Sequence, residues 1–191
     1  IKYNIKINEK EYTVKVPISG IPFVYNSLSA IAVGINYNMD MEDIIEGIRN
    51  TKLTKKRMEV IKKNNITYIN DSYNASYDSN KAAIEYLKST SGNRKVAVLG
   101  DMLELGDYSK ELHEKVGEEI AKNNIDVLIT VGEMSKYIAK KAKESGISDI
   151  TEFTENESAS KYLKKILKPG DVVLLKASNS MKFGEILNKI I

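Results

Sequence analysis

The segment VAVLGDMLELGDYSKELHEKVGEEIAKNNIDVLITV, residues 96–131, decides the fold. It opens on a short apolar run at 96–99 and passes through a loop bounded by Gly100 and Gly106. It then takes a helical period over 109–122 and closes on a second apolar run at 127–131. Two short runs rich in β-branched residues and joined by a helix of that length form a strand–helix–strand unit, which requires a parallel pair. The same alternation continues on both sides. Helical text near 79–89 precedes it, and helices near 134–145, 157–167 and 181–191 follow, interleaved with strand text at 172–175 and a weaker run at 150–153. The expected fold class is α/β, with a Rossmann-like, mainly parallel sheet carrying helices on both faces. In such sheets ligands lie beyond the carboxyl ends of the strands. That rule directs attention to residues 71–76, 100–106, 132–135 and 176–180.

Upstream of residue 71 the period changes. Residues 58–61 and 66–69 form two apolar runs around 62–65, a hairpin pattern. Before them lies a basic, linker-like stretch, 51–56. The first fifty residues have their own organisation: Tyr3, Ile5 and Ile7 alternate with polar residues, Glu9-Lys10 turns the chain, and a second strand covers 12–16. After Ser19-Gly20 a run rich in Ala, Leu and Ile from 24 to 35 reads as a buried helix. A short amphipathic helix at 40–49 places Met41, Ile44, Ile45 and Ile48 on one side.

Composition narrows the class. The 191 residues are 42% hydrophobic and 29% charged, and 29 basic residues are interspersed with 26 acidic ones for a net charge of +3. Runs such as 52–56 and 161–165 sit beside acidic residues and lack stacked aromatics, so a solvated surface accounts for them better than a nucleic-acid footprint. With no cysteine there is no disulfide scaffold, no thiolate zinc site and no thiol nucleophile. No apolar run approaches the roughly 20 residues that span a bilayer, and no signal peptide opens the chain. A cytoplasmic protein without membrane or nucleic-acid partners is the expectation. The chain starts at Ile1 and enters strand-like text at once, so its natural start is expected upstream.

The phosphate-cradling motif GxxxxGK(S/T) and the dinucleotide motif GxGxxG are both absent. The most informative local text is Asn70-Asp71-Ser72-Tyr73-Asn74-Ala75 at a strand end. A carboxylate there is suited to accept ribose hydroxyls, Tyr73 offers a flat ring, and Asn74 offers a donor and an acceptor. Capping and turn chemistry use the same residue types. Arg57, at the start of a strand 14 positions earlier, suits bidentate phosphate contact or an ordinary surface. Lys176, followed by Ala177-Ser178-Asn179-Ser180, either presents amides and hydroxyls to a carboxylate or forms a polar strand-to-helix turn. His113, the only histidine, reads as a packing or surface residue on a helix. No grouping has metal-ligand spacing.

Taken together, five segments in order resemble the Mur ligase family. They are residues 25–34 (YNSLSAIAVG), 57–61 (RMEVI), 70–75 (NDSYNA), 96–106 with Glu111-Leu112-His113, and 174–181 (LLKASNSM). Among them, 70–75 and 99–106 are most like the members that add D-alanyl-D-alanine. Proteins of this family have a UDP-sugar domain, a central ATPase domain with the P-loop, and a Rossmann-like C-terminal domain. The resemblance implies that residues 1–52 are a β-hairpin and two-helix remnant of the central ATPase domain, and that 53–191 are the C-terminal domain. It implies ATP and Mg²⁺ held mainly by the rest of the same polypeptide, with UDP-N-acetylmuramoyl-tripeptide and D-alanyl-D-alanine as substrates joined through an acyl phosphate. This chain alone would be inactive and would bind nucleotide weakly. By resemblance Asn26 contacts adenine, Arg57 serves the phosphates and catalysis, and Asp71 takes the ribose with Tyr73 and Asn74 beside the nucleotide. Asp101, Lys176, Ser178 and Asn179 line the dipeptide and peptide end. The sequence departs from the family pattern at Pro22-Phe23, Asn70, Ala177 and Asn179. The competing expectations are a free-standing α/β binding or regulatory module and a related ligase of the folylpolyglutamate type.

Overall fold

The computed structural model describes residues 1–18, 20–52 and 54–191; Ser19, just ahead of the first expected helix, and Leu53, at the expected domain boundary, lie outside the described residues. The chain divides into two compact units, Ile1–Thr54 and Lys55–Ile191.

In the first unit, β1 (Lys2–Ile7) and β2 (Lys10–Lys15) pair antiparallel, Ile7 facing Lys10 across a two-residue loop. The loop is Asn8-Glu9, one residue earlier than the sequence reading, and both residues have positive φ (46° and 65°). Such turns match the right-handed twist of the strands, and asparagine tolerates the left-handed conformation. Helix α1 (Ile21–Asn36) and helix α2 (Met41–Arg49) follow. Val14, Val16, Ile18, Ile31, Ile44 and Ile48 form the small core. Gly34 is where the two helices meet, since a Cβ there would stand 2.7 Å from Ile44 Cγ1. The expectation of a buried α1 is corrected: only Ser27, Ile31 and Gly34 are buried, while Tyr25 is 66% and Val33 58% exposed. A helix that is apolar on nearly every side reads as buried, yet within this unit only one stripe of it has a partner.

The second unit holds a six-stranded sheet in the order β3-β4-β8-β5-β6-β7. Strands β3 (Glu59–Lys63) and β4 (Ile66–Asn70) form an antiparallel hairpin turned by Asn64-Asn65, both with positive φ. The others, β5 (Arg94–Gly100), β6 (Val127–Val131), β7 (Ile150–Phe153) and β8 (Asp171–Lys176), run parallel to β4. The central strands are apolar on both faces because both are covered. Ala97, Leu99, Leu128, Val172 and Leu174 pack beneath α3 (Tyr77–Ser89), α4 (Ser109–Lys122) and α5 (Lys136–Glu144). Val96, Val98, Ile129, Val173 and Leu175 pack beneath α6 (Asn156–Ile166) and α7 (Gly184–Ile190). The periodicity places all five helices correctly. The last one starts later than expected because Asn179–Met181 is a 3-10 turn and Lys182 is left-handed (φ 53°).

This topology fixes the site. From β4 the chain steps outward through β5 and β6 to β7, with α3, α4 and α5 on one face. It then returns across the sheet through α6 to insert β8 between β4 and β5. Right-handed crossovers in opposite directions put the helices on opposite faces. The connections that leave β4 and β8 therefore diverge, and the carboxyl ends of strands at such a point are where sheets of this kind bind ligands. Among the described residues no helix is long and apolar enough to cross a membrane.

Candidate functional site

Asp71 caps β4, and its backbone N–H donates to Leu175 O at 2.9 Å, holding the tip of β4 against β8. Its carboxylate is bound on both oxygens. Oδ1 accepts from the Met58 amide at 3.1 Å, and Oδ2 accepts from Lys176 Nζ at 2.6 Å. Lys176 ends β8 with 1% of its side chain exposed, and its ammonium also donates to Asn74 O at 3.0 Å. Burial pushes the lysine pKa down from its ordinary value, Asp71 opposes that shift, and the nearby Arg57 charge adds to it. Asp71 keeps 14% of its side chain exposed. A carboxylate has about four lone-pair sites, so each bound oxygen retains capacity for another donor.

Arg57 is exposed, and its guanidinium stacks on the Tyr73 ring with Cζ 3.8 Å from the centroid. Both neighbours of Arg57 have left-handed backbones, Lys56 at φ 66° and Met58 at φ 48°. Neither is a glycine or an asparagine, so this conformation stores local strain. Three contacts hold it: Met58 N–H to Asp71, Tyr73 N–H to Lys56 O at 3.0 Å, and Lys56 N–H to Glu59 Oε2 at 3.2 Å. Glu59 Oε2 also accepts from Asn70 Nδ2, whose amide oxygen accepts from Ser72 Oγ at 2.7 Å. Arg57, Asp71, Tyr73, Asn74 and Lys176 thus share one continuous network. Asn74 uses its side-chain oxygen on the Ala75 amide.

The residues read as the dipeptide end divide differently. Asp101, at the tip of β5, is buried, and its Oδ1 accepts from the amides of Ser135 (2.7 Å) and Met134 (3.1 Å). Its Oδ2 accepts from the Glu133 amide at 3.2 Å. It closes the turn that leads from β6 into α5. Gly132 (φ 129°) is required there, because a Cβ would lie 2.6 Å from Asp101 Cγ. Ser178 is buried too. Its Oγ accepts from the Leu103 amide at 2.9 Å, and its own N–H donates to Asp101 O at 3.1 Å. Only Asn179 of this group is exposed. Asn26, in the first unit, lies on the exposed side of α1.

His113 is fully buried. Its Nδ1 lies 2.6 Å from Ser109 O and donates to it, which leaves Nε2 to accept from the Met102 amide at 3.0 Å. Burial lowers its pKa, so the neutral ring that this bond needs is favoured. Together His113 and Ser178 fasten the 101–106 loop. Sequence reasoning missed Glu59, the Met58 amide and this use of His113. Glu59 and His113 lie within segments that carried the family resemblance, but their spacing alone assigns them no role, and a backbone amide carries no side-chain signal at all. Among the described residues no group of three or more His, Asp or Glu side chains is arranged to hold a metal ion.

Comparison with known proteins gives concordant results. The family model described as Mur ligase, glutamate ligase domain, matches residues 56–179. The UDP-N-acetylmuramoyl-tripeptide--D-alanyl-D-alanine ligase of Bacillus subtilis (strain 168) is 38% identical over 184 residues, covering 95% of this chain and 40% of that protein. The chain thus spans about 40% of the length of such curated relatives. Among solved structures, MurF from Acinetobacter baumannii superposes with a TM-score of 0.87 at 24% identity, over 99% of this chain and 41% of that one. MurF ligase from Thermotoga maritima, solved in complex with ADP, superposes with a TM-score of 0.81 at 25% identity, over 99% and 42%.

Proposed function

Because the chain belongs to the Mur ligase family, we propose that it is the C-terminal part of an ATP-dependent ligase joining D-alanyl-D-alanine to UDP-N-acetylmuramoyl-tripeptide in peptidoglycan precursor synthesis. The observation that carries this reading is the network at the tips of β4 and β8, where Asp71, Arg57, Tyr73 and Asn74 meet at the strand ends where such sheets bind ligands. The ADP complex of the Thermotoga maritima relative supports a nucleotide as occupant. Asp71 accepts ribose hydroxyls with its remaining lone pairs. Arg57 leaves or keeps its stack on Tyr73 to meet phosphate oxygens, as planar guanidinium groups do well. Residues 1–52 are proposed as the tail of the central ATP-binding domain and 53–191 as the C-terminal domain. The apolar residues exposed on α1 support that division, since a face of this kind has its partner elsewhere. Asn26 is carried as an adenine contact on the resemblance alone.

In this reaction a tripeptide carboxylate oxygen attacks the γ-phosphorus of ATP, the bond to the bridging oxygen breaks and ADP leaves. The dipeptide amine then attacks the carbon of the acyl phosphate, loses a proton, and inorganic phosphate leaves as the amide forms. Mg²⁺, which neutralises charge on the transferred group when bound, is assigned to the rest of the polypeptide. The site therefore works in the cytoplasm, where ATP is available, and isolated 1–191 binds nucleotide weakly and does not turn over. For the dipeptide end, the exposed Asn179 is the side chain best placed to touch substrate. Asp101 and Ser178 act through the loops that they hold.

The test is phosphate release by the complete gene product with ATP, Mg²⁺, UDP-N-acetylmuramoyl-tripeptide and D-alanyl-D-alanine. Release that needs both the tripeptide and the dipeptide and drops with Asp71→Ala is the expected result. Release indifferent to the dipeptide would favour another ligase of the superfamily, and no release would favour a binding module.

A further inference from the structure

Strand β8 is apolar from Val172 to Leu175 and then ends on a lysine with 1% of its side chain exposed. A leucine or methionine there would continue the core without the desolvation that a buried ammonium suffers. The lysine is not idle, because both of its observed bonds cross to the tip of β4, one to Asp71 Oδ2 (2.6 Å) and one to Asn74 O (3.0 Å). The bonds pull together the two ends of the 71–74 turn. The opposite oxygen of the Asp71 carboxylate is held by the Met58 amide, next to Arg57. With a donor fixed on each oxygen, the carboxylate plane is set before any ligand arrives.

We infer that Lys176 is a positioning residue for nucleotide recognition: it holds the Asp71 carboxylate in the orientation that meets the ribose hydroxyls. The inference rests on the nucleotide reading proposed above and departs from the sequence expectation that Lys176 itself contacts the peptide substrate. The buried ammonium acts on the ligand only through Asp71. Its loss therefore weakens the contact that Asp71 makes and leaves contacts elsewhere on the nucleotide in place.

The experiment measures kcat and KM in the complete gene product for ATP, 2′-deoxy-ATP and 3′-deoxy-ATP. The enzymes compared are wild type, Asp71→Asn, Lys176→Met, Lys176→Arg and the double variant Lys176→Met/Asp71→Asn. A hydrogen bond to a charged group discriminates by about tenfold to a hundredfold, so wild type prefers ATP over at least one deoxynucleotide by that factor. Lys176→Met collapses the preference toward one, chiefly through KM for ATP, and Lys176→Arg restores part of it. The double variant is no worse than Asp71→Asn alone, since the two changes remove one shared function. A Lys176→Met enzyme that loses turnover equally with all three nucleotides, its preference intact, overturns the inference and leaves a structural lysine. If Lys176→Met fails to fold by circular dichroism, the double variant decides, because it removes both partners together. Equality with Asp71→Asn supports the inference, and a further loss of preference overturns it. A wild type that does not distinguish the ribose hydroxyls, or does not use ATP, removes the nucleotide reading and this inference with it.

Discussion

Asp101→Ala tests whether this carboxylate holds the fold or waits for substrate. Three backbone amides bond to it, those of Glu133, Met134 and Ser135, at 3.2, 3.1 and 2.7 Å. Their environments differ: Ser135 is buried, Met134 half-buried and Glu133 exposed. After truncation the Ser135 amide is left without water or acceptor, which costs about 1–3 kcal/mol, whereas the other two rehydrate and lose about 0.5–1 kcal/mol each. The sum is about 2–5 kcal/mol, a shift of roughly thirtyfold or more in the folded-to-unfolded ratio. Asp101→Asn keeps an oxygen for two of the amides and should cost about half as much. The assay is urea unfolding followed by far-UV circular dichroism, with hydrogen exchange read at the Ser135 amide. A loss below about 1 kcal/mol for Asp101→Ala, with Ser135 still protected, would refute the structural role and return Asp101 to the substrate site.

Gly132→Ala should destabilise by a comparable ~2–3 kcal/mol, since it forces a positive φ and drives Cβ into the Asp101 carboxylate; thermal unfolding of the variant checks it. Arg94 makes a bidentate pair with the buried Asp171 (3.1 and 2.7 Å) and also donates to Ile166 O. Arg94→Met should therefore cost about 3 kcal/mol by stranding that charge, measured by urea titration. His113 has its pKa lowered by burial, so the unfolded chain binds a proton more readily than the folded one. The stability it contributes is present above the unfolded value of about 6.5 and is lost as pH falls from there through the folded value. Denaturation midpoints taken from pH 7.5 to 5 should fall in wild type and stay flatter in His113→Gln.

Much of this architecture was legible because its elements obey two periods. The strand–helix alternation from residue 94 onward follows from apolar runs too short to be helices, separated by segments with helical spacing. The parallel sheet follows from the crossover lengths. Strand order was not legible, since no residue pattern announces that β8 inserts between β4 and β5. That insertion brings Lys176 to Asp71 across 105 positions of sequence. The reading of α1 as buried failed for a related reason. Its composition reports that Tyr25 and Val33 favour an apolar partner, whereas the structure reports that this unit does not supply one. At the site, the strand-end rule found Asp71, Asp101 and Lys176 by position. It could not divide them by role, because a carboxylate bound to three amides and one left partly open share the same letter.

The central claim is that this chain serves a ligase that activates a carboxylate as an acyl phosphate, and oxygen tracing tests it most directly. UDP-N-acetylmuramoyl-tripeptide labelled with ¹⁸O in its terminal carboxylate would be incubated with the complete gene product, ATP, Mg²⁺ and D-alanyl-D-alanine, and the released phosphate analysed by mass spectrometry. Transfer of one labelled oxygen into phosphate, in step with the joined product and reduced in Asp71→Ala, is the predicted result. Unlabelled phosphate, or phosphate formed without joined product, would contradict the account.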